Sequence, residues 1–252
     1  MKAMPHSPPL SGQNTQVDAA SPTPLAARAG ALNARFAQHA AQEVMHHAMT
    51  EMGRVALVSS FGAESVVLLH MAALIDRHAP VLFLDTGFHF TETLVYQIEL
   101  AERLGLTGIR HLRAPEPASD LPARDPDTCC ATRKTAPLRA ALADFDGWIT
   151  GRKRFQSGRR AGLDFFEPDP GGNRLKINPL AHWRRADVAD YMTENRLPRH
   201  PLVAHGYRSI GCAPCTTATT TGEPARAGRW RNTDRDECGI HLTPDPTPRG
   251  IR

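Results

Sequence analysis

No run of eighteen or more apolar residues occurs in this 252-residue chain, so no transmembrane helix and no membrane partner are expected. Residues 1–28 hold no apolar core of the kind a secretory signal carries. They are rich in Pro, Ser, Ala and polar residues and read as a disordered tail. A cytoplasmic protein is therefore expected. Aromatic residues are scarce at 6% and are not interleaved with a basic stripe, which argues against a nucleic-acid-binding module. The net charge of +4 hints at an anionic partner, although such an excess is more often only a solvated surface. Cysteine is scarce as well, with five in all. Where thiols stay reduced, clustered cysteines point to metal binding or catalysis rather than disulfides.

At 41%, the hydrophobic residues suffice for the core of one domain. The apolar period over Ala31–Met49 predicts a helix. Buried strands are expected at Arg54–Ser60 and Pro80–Gly87, and a third at Gly108–Arg113. Helices are expected between them at Phe61–Asp76 and Thr91–Gly105, the latter with Thr91 as N-cap. Three strand-then-helix units in a row argue for an α/β fold: a mostly parallel open sheet with helices on both faces. Beyond it come a polar loop over Ala114–Asp127 and a helix over Ala131–Phe145 that Pro137 bends or starts. Short strands follow at Gly147–Thr150 and near Leu175, with a basic loop at Gly151–Arg160 between them and a helix at Arg185–Arg196 afterwards. After His200 little regular structure is expected.

The stretch "SSFGAES", Ser59–Ser65, lies where a strand hands over to a helix. Free backbone N–H groups and the positive end of the helix dipole make such a junction a natural phosphate site. Ser59, Ser60 and Ser65 add hydroxyls, and Gly62 allows close approach of the backbone. "LDTG", with Asp85 and Gly87, ends the next strand at the same sheet edge, where open α/β sheets bind ligands. Together they resemble the PP-loop of adenine-nucleotide alpha-hydrolase-like proteins, but the glycine-rich SGGxDS loop is missing. One glycine and the added carboxylate of Glu64 suit a polyphosphate poorly. They favour a nucleotide with a single phosphate group at this point.

Cys212 and Cys215 form C-x-x-C, and Cys129 and Cys130 are adjacent. Adjacent thiolates are an awkward bite for one tetrahedral zinc, whereas a cubane can give each its own iron. Spacing alone favours a [4Fe–4S] cluster and leaves zinc, or packing and redox cysteines, as alternatives. Lys134 follows Cys130 by four residues, one helical turn away. An ammonium there is placed to bridge an anionic substrate and negatively charged thiolates. Cys238 stands alone in "RDECGIHL", without the apolar neighbours of a core cysteine. Arg235 and His241 favour its thiolate, and Asp236 and Glu237 oppose it.

With these residues in view, the chain resembles the phosphoadenylyl-sulfate/adenylyl-sulfate reductase family. "SSFGAES", "LFLDTGFHFTET", "CC", "RK", "TGRKRFQS", "INPLAHW", "GCAPCT" and "GRWRNTDRDECGIH" occur in the family's order. The cysteine quartet is similar to that of the family's iron–sulfur branch, which acts on adenosine 5′-phosphosulfate (APS). The resemblance implies one [4Fe–4S] cluster on Cys129, Cys130, Cys212 and Cys215. It implies a nucleotide-binding domain over residues 29–225 and a mobile catalytic tail over 226–252. It further implies that Cys238 takes the sulfo group from APS, that AMP leaves, and that thioredoxin then releases sulfite, as in sulfate assimilation and cysteine biosynthesis. Lys134, Arg154, Arg226 and Arg229 match positions that face the phosphosulfate, with Arg226 and Arg229 riding on the tail. His241 is implied to orient or activate the thiolate. Arg160 is expected to lie off the site. Oligomeric state, a homo-oligomer included, is left open.

This sequence departs from the family at two places. Thr150–Ser157 reads "TGRKRFQS", so Lys153 replaces an arginine and Phe155 an acid, while Arg154 keeps its match. Arg231 and Asn232 stand where tryptophans are common. Three rival functions have requirements that differ from these residues. A reductase specific for the 3′-phosphorylated substrate lacks the quartet. A tRNA-modifying ATP pyrophosphatase carries the glycine-rich loop. A zinc-bound nucleic-acid module needs stacking aromatics.

Overall fold

The computed structural model describes residues 23–114, 120–170, 174–231 and 237–241. Residues 1–22 of the expected tail, and 232–236 and 242–252 at the other end, lie outside the described residues. Two helices, α1 (Pro24–Phe36) and α2 (Ala41–Glu51), lead into β1 (Val55–Ser59), α3 (Ser65–Ile75), β2 (Val81–Asp85), α4 (Thr91–Leu104) and β3 (Ile109–Arg113). Then come α5 (Leu121–Arg124), α6 (Pro126–Cys130), a π-wound stretch Ala131–Thr135 and α7 (Ala136–Leu142). The chain continues through β4 (Gly147–Ile149), β5 (Phe166–Pro168), β6 (Leu175–Ile177) and α8 (Arg185–Glu194).

The six strands lie in the order β3-β2-β1-β4-β6-β5, all parallel except β5, which runs antiparallel to β6. β1 and β2 are buried on both faces, as their near-continuous apolar sequences require. Alternate residues supply two cores. Val55, Leu57, Val81, Phe83 and Ile149 face a large cluster with α1 to α4 and α8. Ala56, Leu82, Leu84 and Trp148 face a smaller one built on Leu138 and Leu142 of α7. The strand order reverses between β1 and β4, so a crevice opens beyond their carboxyl ends.

Several boundaries differ from the sequence reading. Pro24–Arg28, assigned there to the tail, are helical: Thr23 Oγ1 accepts from Ala26 N at 3.2 Å and Pro24 sits in the first turn. The helix expected over Ala31–Met49 is two helices, because Ala40 turns extended and Glu43 Oε2 caps its N–H at 2.7 Å. Phe36 and Val44 both bury, so the apolar period runs across the break and hides it. Phe90, not Thr91, precedes α4, which Gly105 ends with φ +66°. β5 was not expected; it is a three-residue edge strand ending in proline, too short for a pattern. The expected loop over Ala114–Asp127 contains α5 and the start of α6. Asp125 caps that start, its side chain accepting from Thr128 N at 3.0 Å. Pro137 opens α7 and offers no N–H to the turn before it, where the helix winds as π.

Candidate active site

The crevice beyond β1 and β4 is a cleft of about 290 Å³. Ser59, Ser60, Gly62 and Ser65 line one wall. The Ser59 hydroxyl accepts from Phe61 N at 3.1 Å, which folds the loop back on itself. Phe61 holds φ +49° without being glycine, and its fully buried ring meets Phe83 edge-on at 5.2 Å. A Cβ on Gly62 would stand 3.1 Å from the Ile210 carbonyl, so the loop packs closely on the segment before Cys212. Glu64 does not stay a free negative charge. Lys153 Nζ reaches its Oε2 at 2.8 Å, so the lysine that replaces an arginine neutralises the carboxylate in the loop.

The opposite wall is cationic. Lys134 of the π-wound stretch lines the cleft and is 8% exposed. Burial alone would lower its ammonium pKa, but thiolates at Cys238, Cys212 and Cys130 outweigh that and raise it. Arg226 and Arg229 also line the cleft, both just before Trp230 in sequence, with guanidinium carbons 5.6 and 4.5 Å from its ring. Burial lowers Arg226 to about 10. Arg229 donates to the Ile210 carbonyl at 3.2 Å and lies across Gly211, where any Cβ would meet the guanidinium at 2.4 Å. These arginines do not ride on the tail, as the sequence reading had it. Thr217 N donates to Gly228 O at 2.8 Å and Trp230 N to Cys215 O at 3.0 Å. That short ladder ties them to the C-x-x-C loop.

Two further placements correct the sequence reading. Arg154 does not line the cleft; it donates to Leu163 O at 2.6 Å and to Asp164 Oδ1 at 2.8 Å on a half-exposed surface. Arg160, expected off the site, is in it. With Arg152, Lys153 and Gln156 it lines the cleft from the loop after β4. The signal lay in the density of cations in "GRKRFQSGRR", not in a position matched to a motif. Asp85 and Gly87 sit at the sheet edge without lining the cleft. Burial would raise the Asp85 carboxyl, but its hydrogen bond from Arg113 at 2.6 Å outweighs this and holds it low. Gly87 takes φ +72° and donates to Asp85 Oδ1 at 3.1 Å.

Cys129, Cys130 and Cys212 are buried and Cys215 is half-buried. Burial raises the Cys129 thiol, and Cys212 and Cys215 add to the rise, so α6 and the C-x-x-C loop lie within electrostatic reach of each other. Thr86 Oγ1 contacts Cys212 Sγ at 3.3 Å, and Ala213 N donates to Phe88 O at 2.7 Å. Among the described residues no three His, Cys, Asp or Glu side chains are gathered to hold a single metal ion.

Cys238 lines the same cleft. A hydrogen bond with Cys130 is the main reason its thiol falls well below the usual range; burial opposes this, and Lys134, the Ile240 N–H and Arg229 favour it. Ile240 packs on the cluster that includes Trp148. The His241 ring stacks on Trp148 with centroids 6.0 Å apart, and burial, then Lys176 and Arg152, keep it neutral. What reaches Cys238 is the His241 backbone, whose N–H donates to the Cys238 carbonyl at 2.9 Å. Sequence reasoning also missed Lys176. It is fully buried on β6, 3.6 Å from Glu167 and 4.8 Å from the Trp148 ring, and burial lowers it to about 7.

A mostly parallel sheet with a strand-to-helix loop at its switch point, faced by cations and by Cys238, defines an α/β protein of the nucleotide-binding type. The chain belongs to the phosphoadenosine phosphosulfate reductase domain family, whose model matches residues 54–218. It is 47% identical over 228 residues to an adenosine 5′-phosphosulfate reductase of Mesorhizobium japonicum, covering 87% of this chain and 89% of that one. It is also 47% identical over 236 residues to one from Chelativorans sp., covering 89% and 96%. Among solved structures, the phosphoadenylyl-sulfate reductase of Candida auris in a phosphate complex matches with TM-score 0.66 and 26% identity, over 75% of this chain and 96% of that one. The FMN adenylyltransferase of Candida glabrata, at TM-score 0.53 and 13% identity over 88% and 89%, shares the fold.

Proposed function

We propose that this chain is an adenylyl-sulfate reductase, reducing adenosine 5′-phosphosulfate to sulfite and AMP with thioredoxin as the electron donor. The observation that carries the reading is the seat of Cys238 in the nucleotide-type cleft, which Lys134, Arg226 and Arg229 also line. The names of the similar bacterial reductases support the substrate.

APS joins sulfate to phosphate through a mixed anhydride. The Cys238 thiolate attacks the sulfur, the S–O bond to the phosphate breaks, and AMP leaves with the electron pair. The product is an S-sulfocysteine. A thioredoxin thiolate then attacks the Cys238 sulfur and expels sulfite, and its second thiol frees Cys238. The thioredoxin dithiol is oxidised to a disulfide, and its two electrons take sulfur from the sulfate to the sulfite level. Anionic substrate and anionic nucleophile must meet, so Lys134, Arg226 and Arg229 supply the compensating charge. The wall at Ser59–Ser65 receives the nucleotide phosphate with backbone and hydroxyl donors.

Four thiols from two segments in electrostatic reach suit the ligand set of a [4Fe–4S] cluster on Cys129, Cys130, Cys212 and Cys215. Such a cluster would join the two segments and place its charge beside Lys134. Iron and inorganic sulfide in cubane ratio, lost in Cys129→Ser, would support it; full iron content and activity in that variant would sink it.

APS added without thioredoxin should leave one sulfo group on the peptide containing Cys238, and thioredoxin should release it as sulfite. Label on Cys212 or Cys215 instead would require a different nucleophile. A cytoplasmic location and action in sulfate assimilation follow from the same reading. So does preference for the substrate without a 3′-phosphate, which equal kcat/KM for the two nucleotides would overturn.

A further inference from the structure

Glu237 is the residue before Cys238, and it is as buried as the core, at 7% exposed. Its two carboxylate oxygens accept from Nε and Nη2 of Arg160, each at 2.6 Å, in a two-point geometry. The side chains of both partners are buried, 7% exposed for Arg160 and 6% for Glu237. Arg226 Nη2 stands 3.9 Å from Oε1, and the Cys238 N–H donates to the same oxygen at 3.0 Å. Arg160 is itself held, since its Nη1 donates to Gln156 Oε1 within the loop after β4. A carboxylate buried this deeply persists only with its partner, so the pair ties one segment to the other. Ile240 on an apolar cluster, His241 on Trp148 and the Cys238–Cys130 hydrogen bond also hold the segment. The Glu237–Arg160 pair adds a charged two-point contact one residue from the thiol.

We infer that Glu237 is a positioning residue and that, with Arg160, it forms the latch that seats Cys238 in the cleft. The kinetic consequence rests on the reading of Cys238 as nucleophile; the docking does not. A nucleophile displaced by about an ångström loses on the order of a hundredfold in rate while substrate binding is kept.

Hydrogen exchange of the backbone amides of Cys238–His241 tests the docking in the substrate-free holoenzyme. Glu237→Gln and Arg160→Gln should each speed exchange there about tenfold or more, and the double variant should go no further than the faster single one. In kinetics, Glu237→Gln should slow formation of the S-sulfo adduct at saturating APS by about 10- to 100-fold, with AMP affinity held within about threefold. Glu237→Asp should fall between it and the wild type. Unchanged exchange in Glu237→Gln, additive effects in the double variant, or equal losses of AMP binding and adduct formation would each overturn the latch. A wild type that forms no adduct on Cys238 would refute the proposed reaction alone, and the exchange pattern would still decide the latch.

Discussion

Ser59–Ser65 and Arg226–Trp230 face the same cleft and are built by different means. The first is a strand-to-helix junction. Its donors are backbone N–H groups, which any chain that makes this sheet obtains, and the short hydroxyls of three serines. The second has no regular structure. Its donors are long side chains, set by a short ladder to the C-x-x-C loop, by contact with Trp230 and by close approach to Gly211. One wall offers backbone and hydroxyl donors and the other offers charge; under the proposed function the first serves binding and the second chemistry. Binding and chemistry should therefore separate on mutation.

The largest separation is expected at Cys238. Cys238→Ser should lose at least about a thousandfold in turnover, since a hydroxyl is mostly protonated at neutral pH, while AMP binding stays within about twofold. Calorimetry beside a sulfite assay measures both, and joint loss would erase the distinction between the walls. Next is charge. Lys134→Ala should lower kcat/KM about a hundredfold with iron content kept. Arg154→Ala, outside the cleft and paired with Asp164, should change it by less than about twofold. Similar losses in the two would return Arg154 to the site.

A third change tests the footing of the first wall alone. Glu64→Gln removes the carboxylate that meets fully buried Lys153. A cost of about 1–3 kcal/mol is expected, or roughly 2–4 °C in Tm per kcal/mol, and thermal unfolding would read it. An unchanged Tm would mean that Lys153 is satisfied by its 3.1 Å bond to Gly151 O alone.

The smallest effect lies away from both walls. Burial lowers the His200 imidazole to about 4, and its Nδ1 accepts from Leu202 N at 3.2 Å. The unfolded chain binds this proton near pH 6.5, as an ordinary histidine does. The stability it lends is complete above that value and is lost as pH falls from about 6.5 toward 4. His200→Asn should flatten the dependence of Tm on pH in that window, and parallel profiles would exclude this group.

Legibility followed the same division. The units from β1 to β3 could be read because buried parallel strands leave apolar runs and their helices leave a period. Ser59, Gly62 and Ser65 could be placed because the junction is a property of the topology. Arg154 and Arg160 could not be sorted from the sequence. Both stand in one cationic loop, and only the fold decides which turns toward Glu237 and which toward Asp164. The Glu64–Lys153 pair was hidden for a related reason: the partners are 89 positions apart and each looked like a separate departure from a motif. Lys176 was concealed by its apolar strand, where a lysine reads as an edge residue until its burial is seen.

The loop after β1 makes its left-handed turn with Phe61 rather than with glycine. A side chain held at positive φ costs on the order of 1–3 kcal/mol, and here the buried ring on Phe83 holds it there. A glycine would wander among many shapes before a ligand arrived, and binding would have to select one. The aromatic anchor makes that selection during folding. Under the proposed function, the loop then has little entropy left to lose when a nucleotide settles on it, and affinity that would otherwise go into ordering the backbone remains available to the complex.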